Sequence, residues 1–159
     1  MRSIRTAVVR VLVLAALTTS AIGAVAQSPT RIPLPNNSPF PISQGVWVGN
    51  TLYLSGTLDP DFSKSPAKDT KAQTVGALQS IQKALAAQKL TLGDVVMMHV
   101  YLAADPAIGK MDFAGFMGGY TQFFGTKEQP NKPARSAMQV AALAAPGALV
   151  EIEVIAVKP

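Results

Sequence analysis

Two kinds of side chain in this sequence have types and positions that could do chemistry: one arginine and a pair of glutamates. The segment "KPARSAMQV", residues 132–140, carries Arg135, and beyond residue 30 the only other arginine is Arg31. A guanidinium presents a planar fork of donors that fits a carboxylate or phosphate through two parallel hydrogen bonds. Elsewhere beyond residue 30 the chain uses lysine for positive charge. Arg135, at the head of a strand-like stretch, is therefore either an anion clamp or a solvated strand end. Further along, "VEIEVIAV" offers Glu151 or Glu153. A glutamate on a solvated sheet face is polar decoration. On a face covered by another subunit it needs a partner and becomes a candidate base.

Other chemistries find little support. There is one histidine, His99, no cysteine and no close acidic triplet, so no metal site is expected. His99 lies within an apolar stretch and reads as structural, which leaves no Ser-His-Asp arrangement to assemble around it. The patches "GFMGG" and "SGTLD" match neither the P-loop nor the dinucleotide fingerprint. Without cysteine there is no disulfide framework and no thiol nucleophile. An oxidising compartment is tolerated for the same reason.

Residues 1–26 read as a secretory signal peptide. "MRSIRTAVVR" carries three arginines and no acid, "VLVLAALTTSAIGA" is apolar, and Ala24-x-Ala26 supplies the small residues of a cleavage site. The apolar part is short for a membrane span of about 20 residues, so cleavage after Ala26 is expected, with no membrane association afterwards. That places the protein outside the cytoplasm, in the periplasm or beyond. The remaining 133 residues make one domain. Loss of three arginines takes the formal charge from +5 to +2, and no basic, aromatic-interleaved stripe remains, so no nucleic-acid partner is expected.

The elements that must position Arg135 and the glutamates follow from periodicity. Residues 27–41, "QSPTRIPLPNNSPFP", hold five prolines and read as an extended arm, not an element. The arm is taken as 27–38 and the domain as 39–159. "ISQGVWVGNTLYLSG" is a hairpin about Gly49-Asn50, and "TLDPDFSKSPAK" a polar loop. Asp69 or Thr70 caps a helix running to about Gln88, with Ala72, Val75, Leu78, Ile81 and Leu85 near one face. "VVMMHVYLA" is a nearly continuous apolar strand, hence central in its sheet. A second helix begins at Asp105-Pro106 or at Asp112, with Phe113, Phe116, Tyr120 and Phe123 or Phe124 at helical spacing. Its Gly115, Gly118 and Gly119 each cost up to about 1 kcal/mol relative to alanine, so packing must hold it. Strands "ARSAMQVAAL" and "LVEIEVIAV" follow, joined by "AAPGA". The order ββαβαββ, with hairpins at both ends, predicts an α+β fold: two helices on one face of a mixed or antiparallel sheet. In the last strand Val150, Ile152, Val154 and Ala156 turn to the helices, while Glu151, Glu153, Ile155 and Val157 share the other face. That half-apolar face suggests sheets meeting across a subunit interface.

The segments "PISQGVWVGNTLYLSGTL", "GDVVMMHVYLA", "FAGFMGGYTQFFG" and above all "PARSAMQVAAL" followed by "GALVEIEVIAV" resemble the RidA/YjgF family of reactive-intermediate deaminases, in order and spacing, from about residue 39 to 158. The resemblance implies a chorismate-mutase-like α+β fold assembled as a homotrimer, with clefts between subunits. It implies an exported 2-iminobutanoate/2-iminopropanoate deaminase-like hydrolase that turns 2-imino or 2-enamino acids into 2-oxo acids and ammonia without a cofactor. Arg135 matches the family arginine that holds the substrate carboxylate, and Glu151 the glutamate that activates water. Gly56 matches a glycine lining the cleft. Beside this stands a non-catalytic reading, a small-carboxylate-binding protein of the cell envelope. Ribonuclease activity, found among some relatives, is poorly served by export and a charge of +2.

Three substrate-binding positions depart from the family pattern. Ile42 stands for an aromatic residue before "QGV", Met117 for a frequent asparagine on the second helix, and Ala137 for a cysteine or threonine two residues after the arginine. Polar and aromatic contacts are lost while Arg135 and Glu151 remain. A more apolar pocket favours a larger apolar side chain on the substrate.

Overall fold

The computed structural model describes residues 28–64 and 68–159. The expected signal peptide, residues 1–26, lies outside them. Strands Thr30–Pro33 (β1), Ser43–Val48 (β2), Thr51–Thr57 (β3), Val95–Leu102 (β4), Ala134–Gln139 (β5) and Val150–Val157 (β6) alternate with helices Thr70–Ala87 (α1) and Phe113–Tyr120 (α2). The strands form one six-stranded mixed sheet in the order β1–β2–β3–β6–β4–β5.

Local chemistry sets the helix ends. The Asp69 carboxylate accepts a hydrogen bond from the Ala72 amide at 2.7 Å and starts α1. Asp112 accepts from the Gly115 amide at 2.8 Å and starts α2, the later of the two expected positions. Such caps satisfy amides that have no partner inside the helix. Leu78, Ile81 and Leu85 are wholly buried, so cutting any one to alanine costs about 2–5 kcal/mol. Ala72 and Val75, expected on the same face, sit at its margin, and Gln73 and Thr74 are buried instead. The Gln73 amide donates to the Lys68 and Gly147 carbonyls and accepts from the Leu149 amide. A buried amide satisfied on both ends ties α1 to the entry of β6.

β4 has neighbours on both sides, as its apolar run requires: β6 antiparallel and β5 parallel. On β6, Val150, Ile152, Val154 and Ala156 are buried in one core with Leu78, Ile81 and Phe116. The alternate residues Glu151, Glu153, Ile155 and Val157 keep partial exposure on the other face. The expected alternation is therefore observed, with both helices over the first set.

Two expectations are corrected. The C-terminal strands do not form a hairpin; β6 enters the middle of the sheet between β3 and β4, and β5 takes the edge. An apolar inner face and a half-apolar outer face suit β6 to the interior, whereas β5 is exposed at Ala134, Ser136, Met138 and Gln139. The intervening residues 140–149 exceed an ordinary hairpin loop, and α2 supplies the crossover that parallel β4 and β5 need. The N-terminal arm also holds an element, since Thr30–Pro33 pairs antiparallel with β2. Proline is tolerated there because β1 is an edge, and the register shifts at Ile32/Pro33. Within the polar loop after β3, Asp59 is 1 % exposed. Its carboxylate rests against Gly76 of α1, where a Cβ would overlap it, and meets Lys68 Nζ at 2.7 Å.

Candidate active site

Arg135 pairs with Met98 across β4 and β5, and Met98 is buried under the helices. The register therefore sends Arg135 to the helix face. Its guanidinium carbon lies 4.5 Å from the Tyr120 ring centroid, 5.0 Å from Phe116 and 5.9 Å from Phe113. Each cation–π contact contributes about 0.5–2 kcal/mol according to its desolvation. Nη1 also points at Met117 Sδ, 3.2 Å away. Burial pushes the Tyr120 phenol up against the opposing pull of Arg135, so a neutral ring backs the cation. None of the ion pairs among the described residues includes Arg135. The fork is braced from one side and still lacks a carboxylate.

Glu151 occupies the opposite sheet face. It pairs with Tyr101, and Glu153 with His99, across β6 and β4. The irregularity of β3 between Leu54 and Thr57 brings Gly56 against Glu151, and a Cβ at Gly56 would overlap the Glu151 carboxylate. Loss of water by burial raises the Glu151 pKa, and the Glu153 charge raises it further. Glu153 Oε2 accepts from Tyr101 Oη at 3.0 Å and stands 3.7 Å from His99 Nδ1. That hydrogen bond is the first cause of a raised Tyr101 pKa. With its own raised pKa, Glu151 holds its proton to higher pH than an ordinary glutamate.

The expected residues fall into two groups. Arg135, Met117 and Ala137 lie on the helix side near the β5 edge, Ala137 packed partly against the core. Gly56 and Glu151 lie together on the other face. Ile42, 59 % exposed, precedes β2 and lines with Gly56 a cleft of about 330 Å³. Arg135 and Glu151 do not meet within one chain. β4 stands between their strands, a lateral step of about 10 Å, and their side chains leave opposite faces.

The aromatic wall behind Arg135 was visible in sequence as a helical repeat, with nothing to link it to the arginine. The Tyr101–Glu153–His99 cluster had no local signal, because it depends on β6 lying beside β4. A larger cleft among the described residues, about 770 Å³, contains none of the expected site residues and lies among Gln82, Thr91, Gln122 and Gln129. Its Gln129 side chain is engaged with the backbone of Asn131, and the Asn131 side chain donates to the Gly93 carbonyl, so size alone does not select the site. Among the described residues no group of three or more histidine, aspartate or glutamate side chains could hold a metal ion.

Comparison with known proteins bears on this geometry. Residues 36–158 match the family described as endoribonuclease L-PSP. A RutC family protein of Saccharolobus solfataricus is 38% identical over 120 residues, covering 74% of this chain and 87% of that protein. The Escherichia coli protein named "Putative reactive intermediate deaminase TdcF" is 34% identical over 120 residues, with the same coverage of 74% and 87%. The crystal structure of E. coli TdcF with bound serine aligns with a TM-score of 0.64 at 32% identity, over 77% of this chain and 91% of that one. A YjgF/YER057c/UK114 family member from Mycobacterium tuberculosis aligns with a TM-score of 0.64 at 31% identity, over 82% and 100%. With a matching family profile across the domain and the same α+β sheet-and-helix structure, the chain belongs to the RidA/YjgF/RutC family.

Proposed function

We propose that this protein hydrolyses reactive 2-imino and 2-enamino acids to 2-oxo acids and ammonia, at sites built from two copies of the chain. The observation that carries the reading is the pair of half-sites: a braced guanidinium without a carboxylate, and a partly desolvated carboxylate seated directly against Gly56. Relatives named for deamination of reactive intermediates, and the serine held by E. coli TdcF, agree with an α-amino-acid-like ligand for Arg135.

The chemistry needs no covalent intermediate with the protein. Arg135 grips the substrate carboxylate with its two-pronged fork and fixes the adjacent C=N carbon. Glu151 takes a proton from a water as that water's oxygen bonds to the carbon, giving a carbinolamine. Glu151 passes that proton to nitrogen and takes the hydroxyl proton as the C–N bond breaks, so that ammonia leaves as the carbonyl forms. The enamine tautomer enters the same route after protonation at carbon.

Arg135 and Glu151 leave opposite faces of one sheet, so a single substrate is reached by both only when they come from different subunits. The outer face carries Tyr53, Val96 and Met138, each 45–47 % exposed, beside Ile155. Burying that surface in a homotrimer would complete the cleft. Export belongs to the same proposal: the protein acts outside the cytoplasm, probing imines made there, and protein from the host envelope should begin at Gln27 by intact mass.

One observation favours a second reading, a carboxylate-binding protein without turnover. Met117 places a thioether on a guanidinium nitrogen, a position from which a polar side chain would instead contact the ligand. Imino acids generated freshly by an amino-acid oxidase decide between the two. Faster release of ammonia and 2-oxo acid than in the enzyme-free control supports the deaminase. Binding of 2-oxo acids through Arg135 without that acceleration supports the binding protein.

A further inference from the structure

Met117 holds a sulfur at the guanidinium where a carboxylate must arrive. Its carbonyl accepts from the Thr121 amide at 3.0 Å and the Thr121 hydroxyl at 2.9 Å, so the end of α2 that carries the side chain is fixed. Its Sδ lies 3.2 Å from Arg135 Nη1. Met98, paired with Arg135 across β4 and β5, is wholly buried. Met117 is only half-buried, and a small solute can reach it. The chain has six methionines and no cysteine, so methionine carries whatever reversible sulfur redox chemistry the protein has.

A thioether is a weak acceptor, and a carboxylate displaces it from Nη1 easily. Oxidation by hydrogen peroxide changes that. The sulfur lone pair forms a bond to one peroxide oxygen, the O–O bond breaks, and the departing hydroxide takes up a proton and leaves as water. Sulfur is oxidised by two electrons and peroxide is reduced by two. The product is a sulfoxide, polar where the thioether was apolar. Its oxygen carries partial negative charge beside a guanidinium, accepts a charge-assisted hydrogen bond from Nη1 and occupies one prong of the fork. The oxidant also arises with the substrate. Oxidation of an amino acid by dioxygen yields an imino acid and an equal amount of hydrogen peroxide.

We propose that Met117 is a peroxide-sensitive latch on Arg135: its sulfoxide engages the guanidinium and weakens carboxylate binding, and reduction to the thioether reopens the clamp. The latch rests on Arg135 as the carboxylate clamp, which the deaminase and binding-protein readings share.

In the test, the assembled protein is treated with hydrogen peroxide, the excess is destroyed with catalase, and Met117 sulfoxide is followed by peptide mass spectrometry. Calorimetry with pyruvate reads the clamp independently of turnover. Affinity should fall about 10-fold in step with Met117 sulfoxide, as for loss of one hydrogen bond to a charged group. It should return on treatment with methionine sulfoxide reductases. KM for an imino acid should rise by a similar factor with kcat little changed, since the lost contact serves ground state and transition state alike. Met117→Leu, a swap of nearly equal volume, should give a protein whose affinity does not respond to peroxide. Unchanged affinity once Met117 is fully oxidised would overturn the latch. So would an equal loss in the Met117→Leu chain, which would place the effect at another methionine. Met117 that stays reduced while the partly exposed Met111 is oxidised would overturn it as well. A wild type that binds no 2-oxo acid would overturn clamp and latch together. Absence of imine hydrolysis, with the affinity response intact, would overturn the deaminase reading and leave the latch standing.

Discussion

Arg135 and Glu151 are both charged groups held in partial burial, yet their surroundings differ in kind. Around Arg135 the chain has completed the support: three rings and a thioether fix the guanidinium, all from α2. Around Glu151 the carboxylate packs directly against Gly56, and burial together with the neighbouring Glu153 charge destabilises its ionised form. On the proposed reading the first half-site orients and the second accepts a proton. The sheet between them shows that the two groups need not share a surface: a guanidinium can be braced on the helix side of an edge strand, and a carboxylate desolvated on the outer face of a central one.

This contrast is tested first where the largest effect is expected. Glu151→Gln removes the proton acceptor with almost no change of shape, and should lower kcat by about 100-fold or more while leaving 2-oxo acid affinity nearly unchanged. The same substitution should not destabilise the fold. Glu151 has a raised pKa in the folded state, so its protonated form is the one the fold favours. That contribution is present below the ordinary carboxylate range and is lost as pH rises through the raised pKa. Thermal melts at neutral pH should therefore show Glu151→Gln at or above wild type.

Arg135→Ala should act on binding as well as rate. Hydrogen bonds to charged groups contribute about 1.5–3 kcal/mol, so kcat/KM should fall about 10–100-fold. Arg135→Lys should recover only part, because an ammonium lacks the fork. Gly56→Ala is next in size. The new methyl group meets the end of a flexible side chain and not backbone, so stability should change by less than about 1 kcal/mol while kcat falls by about 10-fold as Glu151 is displaced.

The smallest effect is a shift in pH dependence. Activity should fall as pH drops through the Glu151 pKa, at a pH above that of an ordinary glutamate. Glu153→Gln removes the neighbouring charge and should move this acid limb to lower pH, with His99 and Tyr101 still facing the position from β4. An unmoved limb would show that Glu153 has no hold on Glu151.

Much of the fold was legible because its signals are local. Asp69 and Asp112 cap helices where their position before apolar repeats predicts, and Gly49-Asn50 turns the first hairpin. The place of β6 was not legible, since a strand with one apolar and one half-apolar face states that it is interior without naming its neighbours. The same limit hid the division of the site. Arg135, Glu151 and Gly56 stand out by type and spacing, but which sheet face each occupies depends on register with β4, and register is a property of pairing. Asp59 was lost for a related reason: its sequence context is polar, and only the approach of α1 at Gly76 shows why an acid is buried there.

The central claim is that Arg135 of one copy and Glu151 of another act on the same substrate. Arg135→Ala and Glu151→Gln chains, each strongly impaired alone, should be co-expressed with different affinity tags and purified as mixed oligomers. Their imine hydrolysis is the measurement. Sites pairing an intact arginine with an intact glutamate should form at about one in four by random assortment in a cyclic assembly, so activity should return to a substantial fraction of wild type. Mixed oligomers that stay as impaired as the separate variants would contradict the claim.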